Sequence, residues 1–116
     1  MSEIHQSIGQ LSKKLDISIR ALRFYEEKLL INPNFIEGQR RYSSRDELRL
    51  RQIMYLKKFG FSLSEIGEIL DECPSETNPE EIPRFIKERI QEQLFRYKCQ
   101  RKKLDGIITN LEGALL

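Results

Sequence analysis

Apolar residues recur through the first half of the chain at helical spacing, in short runs separated by polar breaks. Ile8, Leu11 and Leu15 lie three and four apart, which places them on one face of a helix over about 8–15. Asp16-Ile17-Ser18 interrupts the run, and a second helix over about 19–28 offers Ala21, Leu22 and Tyr25 to the inside. A third helix, about 45–59, carries Leu50, Ile53, Leu56 and Phe59, with Gly60 as its stop. A fourth, about 63–72, carries Leu63, Ile66, Ile69 and Leu70. Start signals agree with these runs. Ser7 with Gln10, Ser44 with Glu47 and Ser62 with Glu65 have the S-x-x-E/Q form of a capping box, and Ser18 can cap through its hydroxyl alone.

The period changes twice. After Asn32-Pro33-Asn34, whose turn chemistry ends the first helical unit, Phe35-Ile36 and Gln39 to Tyr42 flank Glu37-Gly38 and predict a small hairpin. Residues 73–79 hold two prolines and several turn formers, and read as a linker. Beyond them, about 80–112 reads as one long helix in which Pro83 is tolerated only in the first turn. Its apolar positions Ile90, Leu94, Tyr97, Leu104, Ile108, Leu111 and Leu115 follow a 4-3 heptad seam, with Arg101 in the one charged slot. Such a seam is met by a coiled-coil contact with a second copy or by folding back on its own domain. The expected architecture is mainly α: a winged helix-turn-helix domain with a β-hairpin wing over 1–72, a linker over 73–79, and a coiled-coil dimerisation helix over 80–116.

Charge sharpens this picture. Residues 1–60 hold 12 Lys/Arg against 7 Asp/Glu, a balance of +5, whereas 61–116 hold 8 against 11, a balance of −3. A basic half joined to an acidic half points to a polyanion for the first half only, or to clustering on solvated faces. No run of about 18 apolar residues is present to cross a bilayer, and the start of the chain lacks the basic and apolar regions of a signal peptide. A cytoplasmic location with reduced thiols is expected for Cys73 and Cys99.

Two short helices joined by a three-residue turn, followed by a basic hairpin, have the layout of a winged helix-turn-helix, whose second helix enters the major groove of duplex DNA. With Leu22 and Tyr25 inward, Arg20, Arg23 and Phe24 turn outward, and the two arginines, three apart, share a side. Guanidinium forks suit phosphate and guanine edges alike, although arginines also simply solvate a helix face. In the hairpin Arg40 and Arg41 alternate sides, and Tyr42 either donates its hydroxyl to a phosphate or packs inside.

The run from Ser7 to Glu27, then Gly38 to Ser43, then Phe59 to Ile66, resembles the MerR family of bacterial transcription regulators over about residues 5–72. The resemblance implies a homodimer whose long helices pair as an antiparallel coiled coil. It implies binding to a promoter with an over-long spacer, which bending and untwisting realign for RNA polymerase. On that resemblance the recognition-helix contacts fall on Ser18, Arg20, Arg23, Phe24 and Tyr25, and the wing contacts on Arg40, Arg41 and Tyr42. Dimerisation falls on Ile90, Leu94, Tyr97, Leu104, Ile108 and Leu111. Three departures stand out: Phe24 replaces a frequent Tyr, Gln39 a frequent aromatic, and Glu47 a frequent Leu, with Leu48 available to pack in its place.

Many members of that family sense a ligand after the long helix, and here only Glu112 to Leu116 follow it, so no effector domain is recognised. Soft metals need thiolates brought together, and Cys73 and Cys99 stand a linker and several turns apart; a thiol or metal role needs them to meet between subunits. No cofactor or metal is expected. Nor is catalysis: there is no phosphate loop and no nucleophile with a base, and Glu26-Glu27 and Glu80-Glu81 read as solvated charge. Two rival functions remain open, an architectural or excisionase-like DNA binder and a thiol- or metal-responsive regulator.

Overall fold

The computed structural model of the chain describes residues 5–28 and 31–116. Residues 1–4, on which the expectation of no signal peptide partly rests, lie outside the described residues. The chain forms two compact units, one running to Ile82 and one from Pro83 to Leu116. The first contains α1 (Ile8–Leu15), α2 (Ile19–Glu27), β1 (Asn34–Ile36), β2 (Gln39–Arg41), α3 (Ser44–Lys57) and α4 (Leu63–Glu72). A 3-10 helix, Pro79–Arg84, spans the boundary, and α5 (Lys87–Ala114) fills most of the second unit.

Local chemistry explains most of the starts and stops. Ser7 and Ser62 close the expected capping boxes with Gln10 and Glu65. At α3 the box is one residue earlier than expected: Ser43 caps the helix, and Asp46 returns the bond to the cap amide. Adjacent serines make both registers locally possible, and the one adopted frees Glu47 for a tertiary role. Its carboxylate accepts from Gln6 Nε2 at 2.7 Å and pairs with Lys14 at 2.9 Å and Arg51 at 3.3 Å. Burial alone would raise its pKa, but the Gln6 and Lys14 hydrogen bonds, the Lys14 charge and the Arg51 hydrogen bond hold it below its ordinary value.

The hairpin pairs Asn34 with Arg41, Phe35 with Arg40 and Ile36 with Gln39. Its two-residue turn, Glu37-Gly38, has φ of 53° and 77°. Positive φ at both positions is the primed turn whose twist matches an antiparallel pair, and Gly38 meets it without a Cβ penalty. Gly60, at φ 79°, ends α3 in the same left-handed region. Just past β2, Tyr42 exchanges both backbone hydrogen bonds with Gln6, each 2.8 Å, so the hairpin is tied to the strand-like residues before α1.

The core of the first unit is built from the periodic positions. Leu11, Leu22, Leu50, Ile53, Leu56, Ile66 and Ile69 have no exposed surface, and α1 packs on α2 as α3 packs on α4. The segment expected as a free linker folds instead. Buried Gln52 donates from Nε2 to the carbonyls of Thr77, at 2.8 Å, and Ser75, at 3.4 Å. The first unit thus runs past residue 72, and the α-helical part of the second begins at Lys87 rather than near 80. Pro83 sits inside the 3-10 turn, because its missing N–H and its ring are compatible with a short tight turn but not with an α-helix interior.

Candidate nucleic-acid interface

Ser18 caps α2, accepting from the Ala21 amide at 3.1 Å, and this fixes the direction in which the helix projects its first turn. Leu22 and Tyr25 turn inward, and burial raises the Tyr25 pKa. At 100° per residue that orientation puts Ile19, Arg20, Arg23, Phe24 and Glu27 on the outside, where all five are exposed. Among the described residues, neither Arg20 nor Arg23 has an ion-pair or hydrogen-bond partner. Phe24 is 44% exposed, and Lys28 Nζ lies 5.5 Å from its ring centroid. Ile19, Arg20, Ala21, Arg23, Phe24 and Glu27 line, with Ser18, an open concavity of about 700 Å³.

The wing continues this surface. A second concavity, about 530 Å³, runs from Arg23, Glu26 and Glu27 across Ile31 to Pro33 and onto Phe35 and Arg40. Arg23 and Glu27 line both hollows, so the concavity on α2 adjoins the one that reaches the wing. Phe35 and Arg40 are direct cross-strand partners, and the guanidinium stands 5.7 Å over the ring. Arg40 Nε also pairs with Glu26 Oε1 at 3.1 Å, leaving part of the fork open to solvent. Arg41, on the other side of β2, donates to Gln39 Oε1 at 3.0 Å.

Tyr42 resolves to the packed alternative. It has no exposed surface, and its hydroxyl donates to Glu26 Oε1 at 3.3 Å. Burial first, then the Glu26 charge and hydrogen bond, push its pKa up to about 12. Glu26, read from its neighbour Glu27 as solvated charge, is 12% exposed at its side chain and joins α2 to the wing through Arg40 and Tyr42. The wing folds over the α2 face that carries it, which the helix pattern alone does not reveal.

On α5 the heptad positions remain open. Leu94, Leu104, Ile108 and Leu111 are each at least half exposed, Tyr97 is 44% exposed and Ile90 is half-buried. Cys99 is exposed, whereas Cys73 is buried, and burial, then the Glu72 charge, raises its thiol pKa. That disfavours the thiolate a soft metal requires. No helix among the described residues is long and apolar enough to cross a membrane.

Comparison with known proteins places this geometry. The model of the MerR HTH family regulatory protein matches residues 6–73, and that of the MerR DNA-binding region matches 48–112. The chain belongs to the MerR family. It is 32% identical over 112 residues to the HTH-type transcriptional activator mta of Bacillus subtilis, covering 94% of this chain and 40% of that protein. It is 35% identical over 96 residues to the transcriptional regulator TnrA of the same species, covering 79% and 86%. Among solved structures it resembles MtaN, the N-terminus of the Bacillus subtilis multidrug transporter activator, with TM-score 0.77, 28% identity and 96% and 98% coverage. It also resembles HiNmlR, a MerR family regulator lacking the sensor domain and bound to promoter DNA, with TM-score 0.61, 25% identity and 90% and 79% coverage. The chain spans 40% of mta, 27% of the TipA activator of Streptomyces coelicolor and 46% of the mercuric resistance regulator of Pseudomonas fluorescens.

As a member of the MerR family the chain carries the family's helix-turn-helix and DNA-binding regions together with a hairpin wing. Of the side chains expected at the interface, the structure sets Ser18, Arg20, Arg23 and Phe24 around one hollow and Arg23 and Arg40 around the adjoining one, puts Arg41 on the opposite strand face, and turns Tyr25 and Tyr42 inward. Sequence reasoning passed over Ile19, Glu26 and Phe35. Ile19 was legible: an apolar residue directly after a cap, out of phase with Leu22 and Tyr25. Glu26 was not, because its partners are 14 and 16 residues away.

Proposed function

We propose that this MerR-family regulator acts as a homodimer that seats α2 in the major groove of promoter DNA and sets its wing on the flanking backbone. The observation that carries the reading is the pair Arg20 and Arg23, without an ion-pair partner among the described residues, on a face that adjoins the wing. A cation with no protein partner is free to replace the counterions of a phosphate or to form a bidentate contact with guanine. Arg40 is held back by Glu26 and Phe35, with part of its fork left for a phosphate oxygen. Tyr25 and Tyr42 then serve by packing, and the direct contacts of this surface rest on Ser18, Arg20, Arg23, Phe24 and Arg40, with Arg41 on the other face of the wing.

Dimerisation is assigned to α5. Its 28 residues extend roughly 42 Å, and Ile90, Leu94, Tyr97, Leu104, Ile108 and Leu111 form an apolar stripe that water does not favour. Two copies joined there present two α2 helices to one duplex, so the operator is an inverted repeat. Bending and untwisting an over-long spacer for RNA polymerase, at promoters in the cytoplasm, completes the proposal. The test is titration and footprinting on the duplex upstream of its own coding region, with DNA bending measured by circular permutation. Arg23→Ala is expected to weaken binding by about 1–3 kcal/mol at fixed salt. Unchanged affinity sinks the α2 assignment, and scattered footprints without bending favour an architectural binder.

A further inference from the structure

We infer that Ile19 is a specificity-determining residue that reads the 5-methyl group of thymine, beside an Arg23 that reads the neighbouring base pairs. The inference rests on the α2 placement proposed above and names what its leading edge recognises. Ile19 is the first residue of α2, directly after the Ser18 cap, and it is 40% exposed. In a helix-turn-helix the first turn of the second helix is the part that reaches base edges. The isoleucine side chain makes no hydrogen bond, so beyond the Ile19 backbone amide it has nothing to offer a phosphate. Isolated apolar residues are common on protein surfaces, but this one lines the same concavity as Arg20 and Arg23, the least neutralised cations of the helix.

Spacing gives the pairing. Ile19 and Arg23 are i and i+4 on one helix row, about 5–6 Å apart at Cβ, against about 3.4 Å between stacked bases. One row therefore spans adjacent or next-but-one base pairs. The only apolar group on a major-groove edge is the thymine methyl, and the commonest arginine contact there is bidentate to guanine. An apolar side chain placed one turn before an unpaired guanidinium matches a thymine close to a guanine in each half-site.

The experiment starts with the full chain and a pool of duplexes carrying a randomised core, from which the wild-type protein selects its preferred sequence. The selected duplex is then titrated with each half-site thymine in turn replaced by deoxyuridine, which removes only the methyl. Loss of one buried methyl corresponds to roughly a four-fold weakening. That loss is expected at one thymine per half-site, within two base pairs of a guanine. Ile19→Ala, exposed and favourable in a helix, is expected to bind the thymine duplex more weakly and to be indifferent to that replacement. Ile19→Val keeps the sensitivity, and so does Arg23→Ala. A selected half-site without thymine, a wild type indifferent at every thymine, or an Ile19→Ala protein as sensitive as wild type each overturns the inference. In the last case the methyl acts through DNA deformability rather than through Ile19. If no sequence is enriched at all, the parent reading of sequence-specific binding falls as well.

Discussion

Removing one oxygen, by Tyr42→Phe, separates a structural tyrosine from a phosphate-binding one. The ring is fully buried, and its hydroxyl donates to a Glu26 carboxylate that is itself 12% exposed and shared with Arg40. A hydrogen bond to a charged group contributes about 1.5–3 kcal/mol, but at 3.3 Å this one belongs below that range, at about 1 kcal/mol. For a unit of this size that corresponds to roughly 4–8 °C in Tm, measured at fixed protein concentration because assembly shifts apparent stability. DNA affinity and its salt slope are expected to stay at wild-type values, since the hydroxyl does not reach the surface. Alkaline titration gives a second readout. Folding raises the Tyr42 pKa, to about 12, so its contribution is complete below the ordinary value of 10.0 and is lost as pH rises through the interval between them. In Tyr42→Phe that alkaline component disappears. A variant with unchanged Tm and several-fold weaker binding would refute the packed assignment and restore the phosphate contact, with the salt slope unmoved because a neutral hydroxyl releases no counterion.

Three further outcomes follow from the geometry. Glu47→Gln removes a carboxylate held by Lys14, Gln6 and Arg51; with Lys14 and Arg51 about half exposed, the expected loss is about 0.5–1 kcal/mol at neutral pH. Because folding lowers the Glu47 pKa, that advantage is present above its ordinary value of 4.5 and vanishes as pH falls below it, so urea midpoints of wild type and variant should converge in acid. Gln52→Leu strips the donor from the buried Thr77 carbonyl and should cost about 1–3 kcal/mol in denaturant unfolding; an unmoved midpoint would show that the 73–77 segment is not pinned there. Leu104→Glu puts a charge in the middle of the α5 seam and is expected to leave a monomer in sedimentation equilibrium, with operator binding weakened in parallel; a persistent dimer places the interface elsewhere.

Features settled within about four residues, or by a single period, could be read directly from the chain. The Ser7 and Ser62 boxes, the bounds of α1 and α4, the Glu37-Gly38 hairpin turn and the burial of the periodic positions Leu11, Leu22, Leu50, Ile53, Leu56, Ile66 and Ile69 belong to this class. Their causes are a hydroxyl three residues from an amide, a backbone needing positive φ, and the 3.6-residue repeat. Tertiary structure decided what depends on a distant partner. Two equally good capping registers lay side by side at Ser43 and Ser44, and the one adopted sends Glu47 to Lys14 and Gln6. A stretch with two prolines that looked like a linker became part of the first unit, where buried Gln52 donates to the Thr77 and Ser75 carbonyls. Tyr42 and Glu26, one expected at DNA and the other in water, meet instead beneath the wing. The periodic pattern assigns each residue to a face of its own element, but which faces are then covered depends on contacts between elements far apart in the chain.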